Sequence, residues 1–377
     1  MISARIKSLI PTGLALALLA GLFFAASPTQ DYGAAANPCA NRETSARYDC
    51  YRTRFEELLR ADGLEAAVGF ALAAAREDAD PTVAHNFLHP IGQEAYRATG
   101  NLEGAREHLD RYYARYRSGL PPGTLETDIV LEGYHHGVLQ AYLAERGDVP
   151  RLGLMAEACA SVIDLERPAD PIARKSSSRC FHALGHALMY ANQNHLWRSL
   201  ADCDLLPRPW TRGYCYYGAV MEHHYRSNPA LGAYVAPHTA APTPPVQPLR
   251  ELCPKVAGPY RTACHRLVGR DELVRNRGDF AAAFAACREL GAAADHGPCI
   301  TETAFGLVTL GDDFNTMLAE CRQTGGYERE CIIGTAVGIN SKPELGQLER
   351  FCAAVPEEFR RDCKTADASY AALDFTP

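Results

Sequence analysis

The sequence predicts an all-α protein of disulfide-stapled helical hairpins, an α/α solenoid or toroid. Three observations predict it. The fourteen cysteines fall into seven neighbouring pairs, Cys39/Cys50, Cys159/Cys180, Cys203/Cys215, Cys253/Cys264, Cys287/Cys299, Cys321/Cys331 and Cys352/Cys363, six of them 10 to 12 residues apart and one 21 apart. The first cysteines of the last six pairs recur at steps of 44, 50, 34, 34 and 31 residues, the period of stacked helix pairs. Apolar residues recur at helical spacing, as Phe181, Leu184 and Leu188 do at i, i+3 and i+7, and no long alternating strand pattern or phosphate-binding glycine motif appears.

Residues 1–30 read as a signal peptide. Arg5 and Lys7 precede an apolar run from Gly13 to Ala26, and small residues Ala25, Ala26 and Ser27 follow. The run is short for a membrane span, which needs about 20 residues; the alternative is an uncleaved N-terminal anchor. No cysteine stands just after the run, so nothing points to a lipoprotein. The expected location is the periplasm or the outside of the cell, where cysteines in an even number pair. The formal charge is −7, and no basic cluster appears, which argues against a nucleic-acid partner. Contact with a membrane is expected only through an uncleaved leader.

Residues 31–235 form a histidine-rich helical region. Asp80 is a natural N-cap and Pro81 suits the first position of a helix that runs through "TVAHNFLHPIGQEAY". Further on, stretches such as "LGLMAEAC" end at a first cysteine, and stretches such as "CFHALGHALM" and "CYYGAVMEHH" begin at a second. Residues 236–248, "APHTAAPTPPVQP", read as a proline-rich loop flanking a cleft and account for the 50-residue step. Residues 249–377 are cysteine-paired helical repeats. Each disulfide is expected to join the end of one helix to the start of the next, restricting the unfolded chain by about 3 kcal/mol per loop of this length.

Ten of thirteen histidines lie between His85 and His224, whereas the later repeats keep the cysteines and hold only His238, His265 and His296. His85 and His89, His182 and His186, and Glu132 and His136 are each four residues apart, and Glu222 precedes His223 and His224. Residues four apart share a helix face, and facing helices bearing such pairs can converge lone pairs on one cation. The candidate metal ligands are therefore His85, His89, His136, His182 and His186. Glu132 and Glu222 are candidate carboxylate ligands or general bases. Imidazole with carboxylate suits zinc, iron, copper or manganese rather than calcium. The competing reading is structural: His182 on a backbone carbonyl, His223 and His224 on a solvated face, Pro90 a simple helix break. Tyr96, Tyr134, Tyr190, Tyr214, Tyr216 and Tyr217 flank these motifs either as packed core edges or as hydrogen-bond donors to a ligand. His265 reads as structural, and Glu302 lacks supporting neighbours. No GxSxG elbow is present and the cysteines are committed to pairs, which argues against the usual serine and thiol nucleophiles. The absence of CxxC excludes zinc-ribbon and thioredoxin-type sites.

The stretches "HNFLHPIGQEAY", "EGYHHGVLQAY", "CFHALGHALMY" and "CYYGAVMEH" together resemble a group of exported, cysteine-rich helical proteins of bacteria and archaea with HxxxHxIGxxAY, YHG, CxHxxGH and CxxGxxME motifs in this order. The second motif here reads "YHHG", and Ala84 stands where the pattern has a cysteine. The resemblance covers residues 80–225 and implies export and a shared helical site, not a reaction. The later hairpins also resemble disulfide-bonded Sel1-type repeats, with a different period. The expected function is an exported helical-repeat protein with a His/Glu transition-metal site serving a metal-dependent hydrolase or oxygenase. The alternative is a non-catalytic extracytoplasmic scaffold that docks a protein or peptide partner.

Overall fold

A computed structural model describes residues 39, 44–78, 81–118, 129–147, 150–161, 163–164, 166–169, 171–227, 247–311, 313–340 and 346–366. The leader and residues 236–246 of the proline-rich loop lie outside the described residues, as does the Asp80 cap. Among the described residues the fold is all-α, with no strand, and none of its helices is long and apolar enough to cross a membrane.

The helices of the first half are α1 (Thr44–Ala61), α2 (Leu64–Glu77), α3 (Pro81–Thr99), α4 (Leu102–Ser118), α5 (Ile129–Glu145), α6 (Arg151–Ala158), α7 (Pro171–Ala191), α8 (Leu196–Cys203) and α9 (Pro209–Ser227). Those of the second half are α10 (Leu249–Leu252), α11 (Arg261–Arg266), α12 (Val268–Arg275), α13 (Phe280–Arg288), α14 (Ala293–Ala304), α15 (Phe314–Arg322), α16 (Glu328–Ile339), α17 (Gln347–Ala354) and α18 (Arg360–Lys364). All seven disulfides join the neighbouring cysteines, and no cysteine is free. One detail differs from expectation. The second cysteine lies inside its helix rather than at the start: α7 begins at Pro171, well before Cys180, and α9 at Pro209, before Cys215. Proline has no N–H to lose at a first helical position and its φ is already helical, so these prolines start the helices early. Asp279 and Asp313 cap α13 and α15 by accepting from the amides of Ala282 and Thr316. Helix α3 continues through Pro90.

One series of helices packs in chain order; its members from α7 onward carry the second cysteines, whereas α3 and α5 carry none. Helix α3 packs on α5, α5 on α7, α7 on α9, α9 on α11, α11 on α14, α14 on α16 and α16 on α18. The shorter helices lie beside them as hairpin partners, α8 against α9 and α13 against α14. One continuous buried cluster runs through both halves.

Glycine sets the spacing of this succession. A Cβ at Gly133 would stand 1.9 Å from the His85 carbonyl oxygen, and one at Gly137 would stand 1.8 Å from that of His89. The same contact recurs between Gly218 and the carbonyl of His182, Gly334 and that of Thr301, and Gly338 and that of Phe305. Only a residue without a side chain lets the backbones meet this closely. The carbonyls that receive these glycines in α3 and α7 belong to the histidines themselves, so the contact that packs the helices also fixes the site.

Candidate metal centre

Five histidines from three successive helices converge. His85 and His89 come from α3, His136 from α5, and His182 and His186 from α7. The His136 ring lies 4.9 Å from that of His85, 5.2 Å from His89, 5.2 Å from His182 and 4.5 Å from His186, between centroids. His85, His89, His136 and His186 are buried. Their ligand atoms form two groups that could hold a metal ion, His85/His89/His136 and His136/His182/His186, each with all atoms within 4.8 Å of one another.

The pairs within each helix have the spacing of adjacent metal ligands. His85 Nε2 is 3.3 Å from His89 Nε2, and His182 Nε2 is 3.0 Å from His186 Nε2. Two nitrogens each about 2.0–2.1 Å from one ion stand about 2.9 Å apart at a right angle and about 3.4 Å apart at a tetrahedral angle. Facing Nε2 atoms can be satisfied in two ways: one N–H donates to the other ring, or both lone pairs meet one cation.

Partners on the far side of each ring orient it. Glu222 on α9 accepts from His186 Nδ1 at 2.8 Å, and both side chains are buried. This places the proton on Nδ1 and leaves the Nε2 lone pair directed at His182. Gln140 lies 3.1 Å from His89 Nδ1 and is bonded in turn to Gln93 at 2.8 Å. The Gln140 atom nearest the ring is its Nε2, which donates to Nδ1 while Oε1 accepts from Gln93, so the His89 proton sits on Nε2 toward His85. Exchanging the amide oxygen and nitrogen of both glutamines reverses this and frees Nε2, the common arrangement behind metal-bound histidine. The Nδ1 of His136 differs: it is buried without a hydrogen-bond partner.

His136 and His182 are held neutral near neutral pH. Burial, followed by the charges of His186, His85, His182 and His89, holds His136 well below the usual histidine range. Burial, then His186, His85 and Arg270, does the same to His182. Neutral imidazoles are the metal-binding form.

Of the seven candidate residues, six come together around this cluster: the five histidines, with Glu222 behind them. Glu132 sits four residues before His136, and its Oε1 lies 2.9 Å from Arg179 Nε. In the "YHHG" stretch it is His136 that faces the other histidines. Its neighbour His135 lies near Arg106 and Arg179, and burial together with those charges pushes its pKa down to about 3. His224 is buried, 2.8 Å from Asp271. His265 bonds Asp295 at 2.8 Å and the Cys253 carbonyl at 3.2 Å, a structural role. Tyr134 donates to the Ala105 carbonyl and Tyr216 to Asp204, as packed tyrosines do.

Several neighbours of the cluster had no weight in the sequence. Gln93 and Gln140 are four residues beyond His89 and His136, so the spacing that singled out the histidines also marks them. Glu302 does have partners. It accepts from Tyr217 at 2.5 Å and from Arg266 at 3.1 Å, with Arg266 and Glu302 both buried. Tyr217 in turn stands 5.2 Å from the His182 ring. Arg270 lies 3.3 Å from the Tyr225 hydroxyl, and the Tyr225 ring is 6.3 Å from that of His186. No family model, no curated protein and no solved structure matches this chain.

Proposed function

We propose that this chain is an exported metalloprotein in which a disulfide-stapled solenoid of helical hairpins holds a transition metal in the five-histidine cluster. The carrying observation is the 3.3 Å and 3.0 Å separation of facing Nε2 atoms within each helix, the separation of two ligands on one ion. All-imidazole donors with a carboxylate behind them favour zinc, copper or iron over calcium or magnesium. Seven disulfides support an oxidising compartment, as does the resemblance of the four histidine and glutamate motifs to exported proteins.

A metal in this donor set supplies Lewis acidity toward a bound water, or a centre for dioxygen, which is the chemistry of a hydrolase or an oxygenase. His186 is oriented by Glu222 and His89 by Gln140. Glu222 acts here through His186 as a positioning residue. Glu132, four residues before His136 and beside Arg179, remains the candidate base.

The test is elemental analysis of the full chain, exported with its disulfides formed and then reconstituted with zinc, copper or iron. At least one equivalent of metal is expected, with loss in His182→Ala while circular dichroism stays helical. No stoichiometric metal in the reconstituted wild type would leave the histidines structural and favour the docking scaffold. Metal retained in both His182→Ala and His186→Ala would place the site elsewhere.

A further inference from the structure

We infer that the cluster is built for two transition-metal ions, one in each triad, with His136 the ligand common to both. The inference rests on the metal reading above and adds the number of ions and the role of one residue. The ligand atoms form two groups that meet only in His136. An ion using both helix-borne pairs at once would draw all five nitrogens into one group. Each pair is instead complete in itself, at 3.3 Å on α3 and 3.0 Å on α7. Each also has its own orienting partner: Gln140 behind His89, and Glu222 behind His186.

His136 is placed to serve both. It comes from the middle helix, and its ring is within 5.2 Å of all four others. An imidazole reaches two ions only through its two different nitrogens. In His89 and His186, Nδ1 is engaged by a side chain. In His136, Nδ1 is buried with no hydrogen-bond partner, which leaves its desolvation uncompensated unless something occupies it. A second cation is what an unpartnered nitrogen among imidazoles can accept. His136 enters as neutral imidazole and binds the first ion through one nitrogen. When the second ion binds the other nitrogen, the remaining ring N–H proton leaves to solvent. The bridging imidazolate then places one negative charge between two cations. The charged partner Glu222 lies only on the α7 side, so the His136/His182/His186 triad should fill first.

The experiment uses the full chain, metal-free and with disulfides intact, titrated with zinc and separately with copper(II). Two ions per chain are expected after gel filtration. The doubly copper-loaded protein should integrate to well under two spins by electron paramagnetic resonance, because the shared ring couples the ions. His85→Ala with His89→Ala should keep one ion, and its copper form should give one full, uncoupled spin. His135→Ala should behave as wild type. Saturation at one ion overturns this inference and leaves the metal reading standing, whereas no bound ion overturns both. Two ions giving two full, uncoupled spins would show that His136 is not shared and would overturn the inference as well. The wild-type stoichiometry and spin count decide the matter even if a histidine variant fails to fold.

Discussion

Gly137→Ala is expected to empty the α3 side of the cluster without altering a histidine. The new methyl would lie 1.8 Å from the His89 carbonyl oxygen, 2.7 Å from its carbon and 3.0 Å from the Gln93 amide nitrogen. All three are backbone atoms and cannot swing aside. Ordinary contact begins at 3.4 Å, so α3 must retreat from α5 by about 1.6 Å at this point. Metal–ligand distances tolerate about 0.2 Å, so a retreat of that size takes His85 and His89 out of reach of an ion held by His136. Overpacking of this kind costs about 1–3 kcal/mol, which a chain with seven disulfides should survive folded. Zinc affinity on the α3 side should fall at least about 100-fold, more than the loss of an orienting partner alone. Competition against a chromophoric chelator measures the affinity, and thermal melting followed by circular dichroism measures the stability. Gly147→Ala is the control, because a Cβ there meets nothing within 4 Å. If Gly137→Ala binds zinc as tightly as the control and melts with it, the close glycine contact does not set the geometry of the cluster.

Replacing Glu222 with Ala should weaken zinc binding about 10- to 100-fold, and Glu222→Gln should restore most of it, since an amide oxygen can still accept from His186 Nδ1; equal losses would show that charge rather than orientation matters. Glu302→Ala leaves the guanidinium of Arg266, 1% exposed, without its carboxylate and should cost about 3–5 kcal/mol by denaturant unfolding. Adding Arg266→Met should recover most of that, whereas simple additivity would refute the coupling. The metal-free protein should lose stability as pH falls below about 6.5. His136 and His182 stay neutral in the fold, with pKa values well below the usual range, while the unfolded chain takes up protons there. The unfolded state then binds more protons, and stability falls with decreasing pH by about 1.4 kcal/mol per unit for each such histidine. Equal unfolding midpoints at pH 7 and pH 5 would contradict this.

The local parts of the structure were legible in the residues. Disulfide partners 10 to 12 positions apart have few other choices when the pattern repeats, and four-residue spacing places His182 beside His186 whatever surrounds the helix. What could not be read was anything decided by contact between helices. "YHHG" offers two histidines; the seats of Gly133 and Gly137 on the carbonyls of His85 and His89 turn α5 so that His136 faces inward. Glu302 looked isolated because its partner Tyr217 is 85 residues away in the chain. Helix α7 starts well before the boundary expected at Cys180, and the local signal for that start is Pro171.

The glycine-on-carbonyl seat also bears on how such a chain can change over generations. Counted from the second cysteine, the same two inward positions hold His182 and His186, then Tyr217 and Met221, Arg266 and Arg270, Thr301 and Phe305, and Ile333 and Val337. Gly218 and Gly334, one residue past the first of these positions, rest on the carbonyls of His182 and Thr301. In the units of Gly218 and Gly334 backbone position is held by a sulfur bridge and a hydrogen atom where a side chain would be, neither of which depends on what fills those two positions. Chemistry and scaffold are therefore separately heritable: single substitutions can turn imidazole into phenol, guanidinium or alkyl along the array while the path of the chain stays the same.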